Sequence, residues 1–446
     1  MFAKIIRVLL GFFLSAQPAL CNWPQFRGSH GGNGTTGHFP LKWDQKTNIV
    51  WQVDIPGRGW SSPVVWGDRI FLTSVQSENP PEPRRGLYIK NMIGKVPPGE
   101  HRWLVLCLDW QSGKVLWQKT VHKGKPPSTI HTKNTYASET PVTDGKRLIA
   151  HFGNVGLFCF DLDGKELWTK KVDSVRTRLG WGTGASPVLH KDRVYLQSDN
   201  EDNSYLSALD VETGKEVWRV ERQEKSGWSS PFIWENKLRT EIVTCASKRI
   251  RSYDLDGKLL WELGGMSTIV IPTPCAADDL LYLTSGYLVD TRRPLFAVRP
   301  GGSGDISLKG NETSSEFIAW SHKLAGPYHP SPVVHDHYVY VLYDRGMLAC
   351  FEAATGKEMY KKRIDAGSDK FVSSPVAADG RVYCTSEDGD AFVIKAGPTF
   401  HVLAKNSLDD MCLATPALVR NSILLRTMTR LVRIEDKRTS EPKTGN

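Results

Sequence analysis

The chain repeats one pattern of apolar and polar positions eight times. In each repeat, Ser or Thr is followed by Pro and a short apolar run, then by a turn and a second run in which apolar and polar residues alternate. In "SSPVVWGDRIFLTS" (61–74) the turn is Gly67-Asp68. Two runs joined in this way predict a β-hairpin, and a sheet accepts Pro at the start of a strand. The eight steps contain Pro63, Pro141, Pro187, Pro231, Pro274, Pro332, Pro375 and Pro416.

A second hairpin follows the first in most repeats. In "FCFDLDGKELW" (158–168) an acidic residue ends one strand, a Gly-Lys turn follows, and Trp lies seven residues beyond the acid. Five of the seven intervals between the Pro steps lie between 41 and 46 residues. Four antiparallel strands in about 43 residues are typical of one propeller blade. The pattern therefore predicts an all-β, eight-bladed β-propeller of four-stranded antiparallel blades.

The last repeat lacks its fourth strand, and the start of the chain supplies a replacement. After Pro416 the sequence "LVRNSILLRTMTRLVRI" ends without the Trp-containing strand, whereas "KTNIVWQVDI" (46–55) precedes the first Pro step. We therefore expect this N-terminal strand to complete the last blade, which leaves no open sheet edge. The predicted domains are an N-terminal segment at 22–42, a single propeller at 43–435 and a disordered tail at 436–446.

The first 21 residues have the layout of a signal peptide. Lys4 and Arg7 precede an apolar run from Val8 to Leu14 and then small residues, which predicts export to the periplasm or beyond the cell. Cys21 leaves two kinds of processing open, to a soluble protein or to a lipoprotein. No later stretch is apolar for the ~20 residues that span a membrane. We expect a monomer.

Composition narrows the class of partner only slightly. The formal charge of +9 over 446 residues is a modest excess, compatible with an anionic partner and giving no sign of nucleic-acid binding. Cys107, Cys159 and Cys350 share one repeat position, where other blades have Ala208 or Ser252. A position that accepts these small residues predicts buried, unpaired thiols. The repeated Trp residues are interpreted as packing between neighbouring blades.

The "D-x-x-TGK-x-x-W" repeat resembles the tryptophan-docking repeat of quinoprotein-type propellers, over residues 43–434. That superfamily holds dehydrogenases that depend on pyrroloquinoline quinone (PQQ) and the propeller lipoprotein of the outer-membrane barrel-assembly machinery. The opening "NWPQFRGSHGGNGTTG" (22–37) is similar to the start of exported PQQ-like repeat proteins. The resemblance implies the fold, and it implies PQQ and calcium as candidate cofactors in the central funnel.

The chain departs from the dehydrogenase pattern at two points. Those enzymes place the quinone beneath a disulfide between adjacent cysteines, and this sequence has no Cys-Cys pair and no C-x-x-C-H segment. Our main hypothesis is therefore a non-catalytic binding or scaffolding protein of the cell envelope. The alternative is a quinoprotein-like oxidoreductase that binds PQQ and calcium in the funnel. An activity on glycans is a more distant third hypothesis.

The sequence also predicts where a site would lie. Long loops at 75–102, 119–138 and 169–185 emerge on one face of the propeller, which we call the loop-rich face, and binding residues usually lie on such loops. We expect an envelope protein or an anionic glycan there, because these loops carry Arg84, Arg85, Lys90, Lys95, Arg102, Lys119, Lys123, Lys125 and Lys133.

The residues that precede each Pro step should line the funnel mouth. Aromatic residues with a few polar groups are typical of a ligand pocket, and Glu139 with Asn134 could offer oxygen ligands to calcium. The predicted cofactor-binding residues are Arg58, Trp60, Asn134, Tyr136, Glu139, Trp181, Thr183, Trp228, His329 and Lys370.

Overall fold

The computed structural model describes residues 22–34, 37–80, 85–86, 93–365 and 370–436. The predicted signal peptide and nearly all of the predicted tail lie outside these residues. Within them, the strands form eight sheets, and the eight-bladed β-propeller is confirmed. Strands extend from Ile49 to Glu435, and the predicted domain limits themselves stay predictions. No described helix has the length and hydropathy that a membrane crossing requires.

In blades 1 to 7 the four antiparallel strands follow one another in chain order, so that consecutive hairpins build each blade outward from the axis. Blade 1 contains Val64–Trp66, Arg69–Ser77, His101–Asp109 and Val115–Gly124. Blade 2 contains Val142–Thr143, Arg147–Phe152, Gly156–Asp161 and Glu166–Lys171. Blade 3 contains Val188–His190, Arg193–Ser198, Ser204–Asp210 and Glu216–Arg222. Blade 4 contains Phe232–Glu235, Thr240–Ala246, Arg249–Tyr253 and Leu259–Gly264.

The second half of the ring follows the same plan. Blade 5 contains Cys275–Ala277, Leu280–Thr284, Leu295–Val298 and Ile318–His322. Blade 6 contains Val333–His335, Tyr338–Leu342, Met347–Glu352 and Glu358–Arg363. Blade 7 contains Val376–Ala378, Arg381–Thr385, Asp390–Lys395 and Val402–Ser407. Blade 8 contains Ala417–Val419, Ser422–Arg426, Arg430–Glu435 and the N-terminal strand Ile49–Asp54. The predicted closure is therefore confirmed, since Ile49–Asp54 pairs antiparallel with Arg430–Glu435.

The repeated Trp residues join neighbouring blades, as the sequence predicts. The indole of Trp168 in blade 2 donates to the carbonyl of Val211 at 3.0 Å. It also packs under Gly214, whose φ of +68° and missing Cβ leave room for the ring. The same indole-to-carbonyl bond is made by Trp51, Trp117, Trp218 and Trp320.

Blade 4 is an exception to this docking. The indole of Trp261 donates to the carboxylate of Glu241 in its own blade at 2.6 Å. In place of the short Gly-Lys turn, blade 5 has a longer segment between its third and fourth strands. Part of that segment, Gly304–Asp305, adds a parallel fifth strand to blade 4. A local hydrogen bond and an added strand thus replace the repeated contact at this boundary. Blades 6 and 7 have Tyr360 and Ala404 at the position of the Trp.

The cysteines are confirmed as buried, unpaired thiols. All seven described cysteines are free and buried. Burial raises the pKa of Cys107 and of Cys159 to about 12. Thiols with such pKa values stay protonated at neutral pH, so these side chains serve as small core residues rather than nucleophiles.

Candidate binding cavity on the propeller axis

A cavity of about 240 Å³ lies on the propeller axis, above the point where the inner strands begin. Side chains of successive residues in extended backbone point to opposite sides. Three residues precede the Pro of each blade, and the third of them is the Ser or Thr. The first and third residues of this triplet therefore face the axis. The first residues, which we call the upper tier, are Trp60, Ser138, Gly184, Trp228, Ile271, His329, Val372 and Leu413. The third residues that line the cavity, the hydroxyl tier, are Thr140, Ser186, Ser230, Thr273, Ser331, Ser374 and Thr415.

Hydrogen bonds between adjacent blades hold the hydroxyl tier in place. The backbone N–H of Ser62 donates to Thr140 Oγ1 of the next blade, and that of Thr140 donates to Ser186 Oγ, both at 2.9 Å. Five more bonds of this kind, of 2.9 to 3.3 Å, continue around the ring to Thr415. Each oxygen accepts one N–H and keeps its own O–H. Among the described residues nothing accepts those O–H groups, so they are available to a ligand.

The ring of hydrogen bonds is open between blade 8 and blade 1. Ser62 Oγ is buried and has no hydrogen-bond partner within the described part of the chain. The neighbouring Ser61 instead accepts from Arg426 of blade 8, through both its carbonyl and its hydroxyl oxygen. Arg426 is 1 % exposed, and burial lowers its pKa to about 9. A side chain therefore bridges the boundary at which the start and the end of the chain meet.

The N-terminal segment closes the axis on the face opposite the loop-rich face. Trp23 pairs with Val65 beside the first hairpin turn, and Gly34 N donates to the carbonyl of Ala377 in blade 7. Between these contacts, Phe26 forms part of the cavity lining. The N-terminal segment thus closes the cavity below. In the sequence, this segment is notable only for its similarity to the start of exported PQQ-like repeat proteins.

Arg27 lies beneath the hydroxyl tier and is 1 % exposed. Its guanidinium donates to the carbonyl of Thr273 at 3.3 Å and to the carbonyl of Pro332. Within the described ranges it has no carboxylate partner, and its Nε has no hydrogen-bond partner. Burial lowers the pKa of Arg27, but a guanidinium keeps its proton at neutral pH. A positive charge therefore stands at the base of the cavity.

Aromatic side chains surround the mouth. The rings of Trp181 and Trp228 are 5.6 Å apart, and those of Tyr287 and Tyr328 are 5.4 Å apart. The guanidinium carbon of Arg178 lies 5.6 Å from the centre of the Tyr287 ring. Arg178 follows blade 2, whereas Tyr287 belongs to a loop of blade 5. The two loops therefore meet across the mouth, above blades 3 and 4.

The charged groups at the mouth are mostly paired. Lys133 forms an ion pair with the buried Glu387, and its Nζ also donates to the carbonyl of Gly86 at 3.1 Å. His329 Nδ1 contacts the carboxylate of Asp344. Burial, with repulsion from His329 and Lys133, lowers the pKa of His131 to about 4. None of the described cavity-lining residues is Asp or Glu, so the lining offers no carboxylate ligand to a cation.

The structure brings six of the ten predicted site residues to this cavity. They are Trp60, Asn134, Trp181, Thr183, Trp228 and His329. Arg58 and Tyr136 line a smaller neighbouring cavity of about 50 Å³, which Trp60 and Asn134 also border. Lys370 packs against Gly86 and does not line the axial cavity. Glu139 is separate from both cavities.

Strand alternation explains the position of Glu139. It is the middle residue of the triplet Ser138-Glu139-Thr140, so its side chain points away from the axis. The carboxylate is 1 % exposed and accepts from Thr183 Oγ1 at 2.6 Å. Burial raises its pKa to about 7, against the opposing effect of the bond from Thr183. Glu139 therefore ties blade 2 to the segment that leads into blade 3.

The residues present do not fit a calcium ion beside a quinone. Asn134 Oδ1 already accepts from Thr135 N at 2.7 Å and from Ser138 Oγ at 2.5 Å. The carboxylate of Glu139 is bonded to Thr183 and does not line the cavity. Across the described residues, no group of three or more His, Cys, Asp or Glu side chains could hold a metal ion. Calcium prefers six to eight oxygen ligands, and this donor set falls far short of that number.

Of the thirteen exposed large apolar residues in the described part of the chain, six lie in loops of the loop-rich face and six lie on outer strands of the blades. Leu179 is 43 % exposed and Val289 is 75 % exposed. Among the described hairpin turns of the opposite face, the comparable residue is Leu238. We call the following set the apolar rim: Ile93, Val96, Leu179, Leu288, Val289 and Leu324. The carbonyl of Leu179 accepts from Gly94 N at 2.7 Å, so parts of this rim are joined directly.

The basic residues predicted on these loops are partly neutralised. Arg85 pairs with Asp388 at 2.9 Å, and Lys123 pairs with Glu100 at 2.9 Å. Lys133 pairs with Glu387, as described above. Arg84 and Lys90 lie outside the described residues. The paired charges reduce the support for an anionic glycan on this face.

Comparison with known proteins places the chain in a family. The family described as outer membrane protein assembly factor BamB matches residues 101–289 and 310–398, more than half of the chain. The chain belongs to this family of PQQ-like propellers. No curated protein matches the sequence.

Solved structures of PQQ-like propellers share the fold. BamB of Moraxella catarrhalis is 11 % identical, with a TM-score of 0.58 over 86 % of this chain and 99 % of that chain. The quinohemoprotein alcohol dehydrogenase of Comamonas testosteroni is 11 % identical, with a TM-score of 0.59 over 95 % and 82 %. A second such dehydrogenase, of Pseudomonas putida HK5, is 11 % identical with a TM-score of 0.55 over 95 % and 81 %. At this level of identity the likeness shows the fold alone.

Proposed function

We propose that this chain is an exported, non-catalytic binding protein of the cell envelope that takes a protein partner on its loop-rich face. The apolar rim is the observation that carries this proposal. Exposed apolar groups that cluster on one face are typical of protein-binding surfaces. The match to an outer membrane assembly factor supports an envelope setting.

The chemistry of the axis favours binding over catalysis. All the described thiols are buried, and the buried carboxylate of Glu139 is bonded to Thr183 and directed away from the cavity. The calcium ligands that the oxidoreductase hypothesis requires are taken up by bonds of the protein itself. A quinone-dependent reaction is therefore the less supported alternative.

The partner is identified with a matched pair of triple variants. The test variant is Leu179→Asp/Leu288→Asp/Val289→Asp, which places three charges on the apolar rim. The control variant is Leu116→Asp/Leu167→Asp/Leu238→Asp, which changes three equally exposed leucines on outer strands and on the opposite face. Each protein is cross-linked to an envelope extract, and the attached proteins are identified by mass spectrometry.

We expect one partner to be recovered with the wild type and the control variant and to fall at least tenfold with the rim variant. Melting temperatures of all three proteins establish that each is folded. A partner that is retained by the rim variant, or lost equally from the control variant, would contradict the proposed surface.

A further inference from the structure

We propose that the axial cavity binds a small carboxylate with an apolar body, independently of calcium. The carboxylate lies in the hydroxyl tier, and the apolar body lies against the upper tier. This inference concerns a small ligand inside the ring, so it stands apart from the protein partner on the loop-rich face.

The order of the two tiers sets the orientation of the ligand. The inner strands run away from the mouth, so the upper tier is nearer the mouth and the hydroxyl tier is deeper. In the upper tier, Trp60, Trp228 and Ile271 present apolar surface to the axis. Below them the ring offers O–H donors whose oxygens are fixed by N–H groups of the neighbouring blades. Donors held in this way pay little entropy when they bind an anion.

The charge beneath the cavity favours an anion. Lys133 and His329 are paired with Glu387 and Asp344, and the described lining includes no carboxylate. Arg27 adds a buried guanidinium beneath the hydroxyl tier. It donates to backbone carbonyls, among them those of Thr273 and Pro332, and has no carboxylate partner among the described residues. A charge in such a low-dielectric position acts more strongly than one at the surface.

The size of the cavity limits the ligand to a small molecule. Its volume of about 240 Å³ corresponds to roughly eight waters at ~30 Å³ each. Phe26 closes the lower end, so the ligand enters from the mouth. A single aromatic or short aliphatic body with one carboxylate matches this shape, and benzoate is a suitable probe.

The test compares three probes on the wild-type protein by isothermal titration calorimetry. Benzoate carries both features, benzyl alcohol keeps the body without the charge, and inorganic phosphate keeps a charge without the body. We expect saturable binding of benzoate, with at least tenfold weaker binding of the other two and no change on chelation of calcium. Benzyl alcohol or phosphate binding as tightly as benzoate, or no saturable binding of benzoate at ~10 mM, would overturn the proposal.

Two variants test the role of the hydroxyl tier. Thr140→Val/Thr273→Val/Thr415→Val removes three hydroxyls, spaced three blades apart, at almost constant side-chain volume. Thr140→Ser/Thr273→Ser/Thr415→Ser keeps the hydroxyls and serves as the matched control. We expect benzoate to bind about tenfold more weakly to the valine variant than to the serine variant. Equal affinity in the two folded variants would assign the binding to another part of the molecule.

Discussion

The guanidinium of Arg178 lies 5.6 Å from the ring centre of Tyr287, which joins the loop after blade 2 to a loop of blade 5. The backbone N–H of Arg178 also donates to Ser226 Oγ, between blades 3 and 4, at 2.8 Å. Leu179 and Leu288, the residues that follow this pair, both belong to the apolar rim. The pair therefore fixes the relative position of two parts of the proposed binding surface.

The substitution Arg178→Ala should loosen the loop without destabilising the ring. A cation–π contact contributes at least roughly 0.5–1 kcal/mol, so amide exchange at 179–181 should accelerate about two- to fivefold or more. The melting temperature should change little. Hydrogen exchange with mass spectrometry measures both regions. Arg219→Ala is the control, since Arg219 stacks on Tyr205 within one blade at 3.9 Å. An effect of equal size at 179–181 in the control would contradict the interpretation.

Glu139 should make stability depend on pH near neutrality. Its carboxyl has a pKa of about 7 in the folded chain against 4.5 for the ordinary side chain, because burial disfavours the charge. The folded state therefore holds this proton more tightly. The contribution of this proton to the free energy of unfolding is fully present below pH 4.5. It is lost as the pH rises through about 7, and it amounts to at most about 3 kcal/mol.

The substitution Glu139→Gln should remove this loss. Urea denaturation at pH 5, 6, 7 and 8 gives the free energy of unfolding of the wild type and the variant. The difference between them should shift in favour of the variant as the pH rises. Glu316→Gln, which changes an exposed carboxylate, should show no such trend. A Glu139→Gln difference that stays constant from pH 5 to pH 8 would refute the assignment.

Ser62 and Ser186 hold the same position in their repeats, but only Ser186 accepts a hydrogen bond from the neighbouring blade. Ser186→Ala should cost about 1–3 kcal/mol of unfolding free energy, because it leaves the buried N–H of Thr140 without an acceptor. Ser62→Ala should cost less than ~1 kcal/mol, since Ser62 Oγ has no partner among the described residues. Urea denaturation of the two variants gives the comparison. Equal costs would mean that the ring is closed in solution.

Pyrroloquinoline quinone should bind no more tightly when calcium is added. The oxygen of Asn134 accepts two hydrogen bonds within its own loop, and Glu139 faces Thr183. A titration followed by Trp fluorescence, with and without 1 mM calcium (roughly saturating for weak extracellular sites), measures the difference. Calcium-dependent tightening that is lost in Asn134→Ala would restore the oxidoreductase hypothesis.

The sequence predicts the ring well because the ring is built from repeated local contacts. Most of the repeated Trp residues, such as Trp168, meet a Gly-Lys turn of the next blade, so period and turn chemistry are sufficient to count the blades. The fourth strand of blade 8 could be predicted because its absence after Pro416 is visible in the repeat. The exception at Trp261 could not, since its bond to Glu241 depends on an insertion with no counterpart in other blades.

The site is less predictable because its geometry depends on alternation and on distant segments. The sequence singles out Glu139 as polar and close to Pro141, yet its neighbours Ser138 and Thr140 face the axis instead. Counting two positions back from each Ser or Thr would have identified the upper tier. No local pattern predicts that Phe26 and Arg27 lie beneath the cavity. The carbonyls of Thr273 and Pro332 that Arg27 contacts lie about 250 to 300 residues away in sequence.

The N-terminal segment begins on one particular face of the ring. The side chain of Asn22 accepts from Gly67 N at 3.0 Å, beside a hairpin turn on the face opposite the apolar rim. The described part of the chain therefore starts on that side. A partner bound to the N-terminal segment would contact the hairpin turns, whereas a partner bound to the apolar rim would cover the mouth of the cavity on the other side.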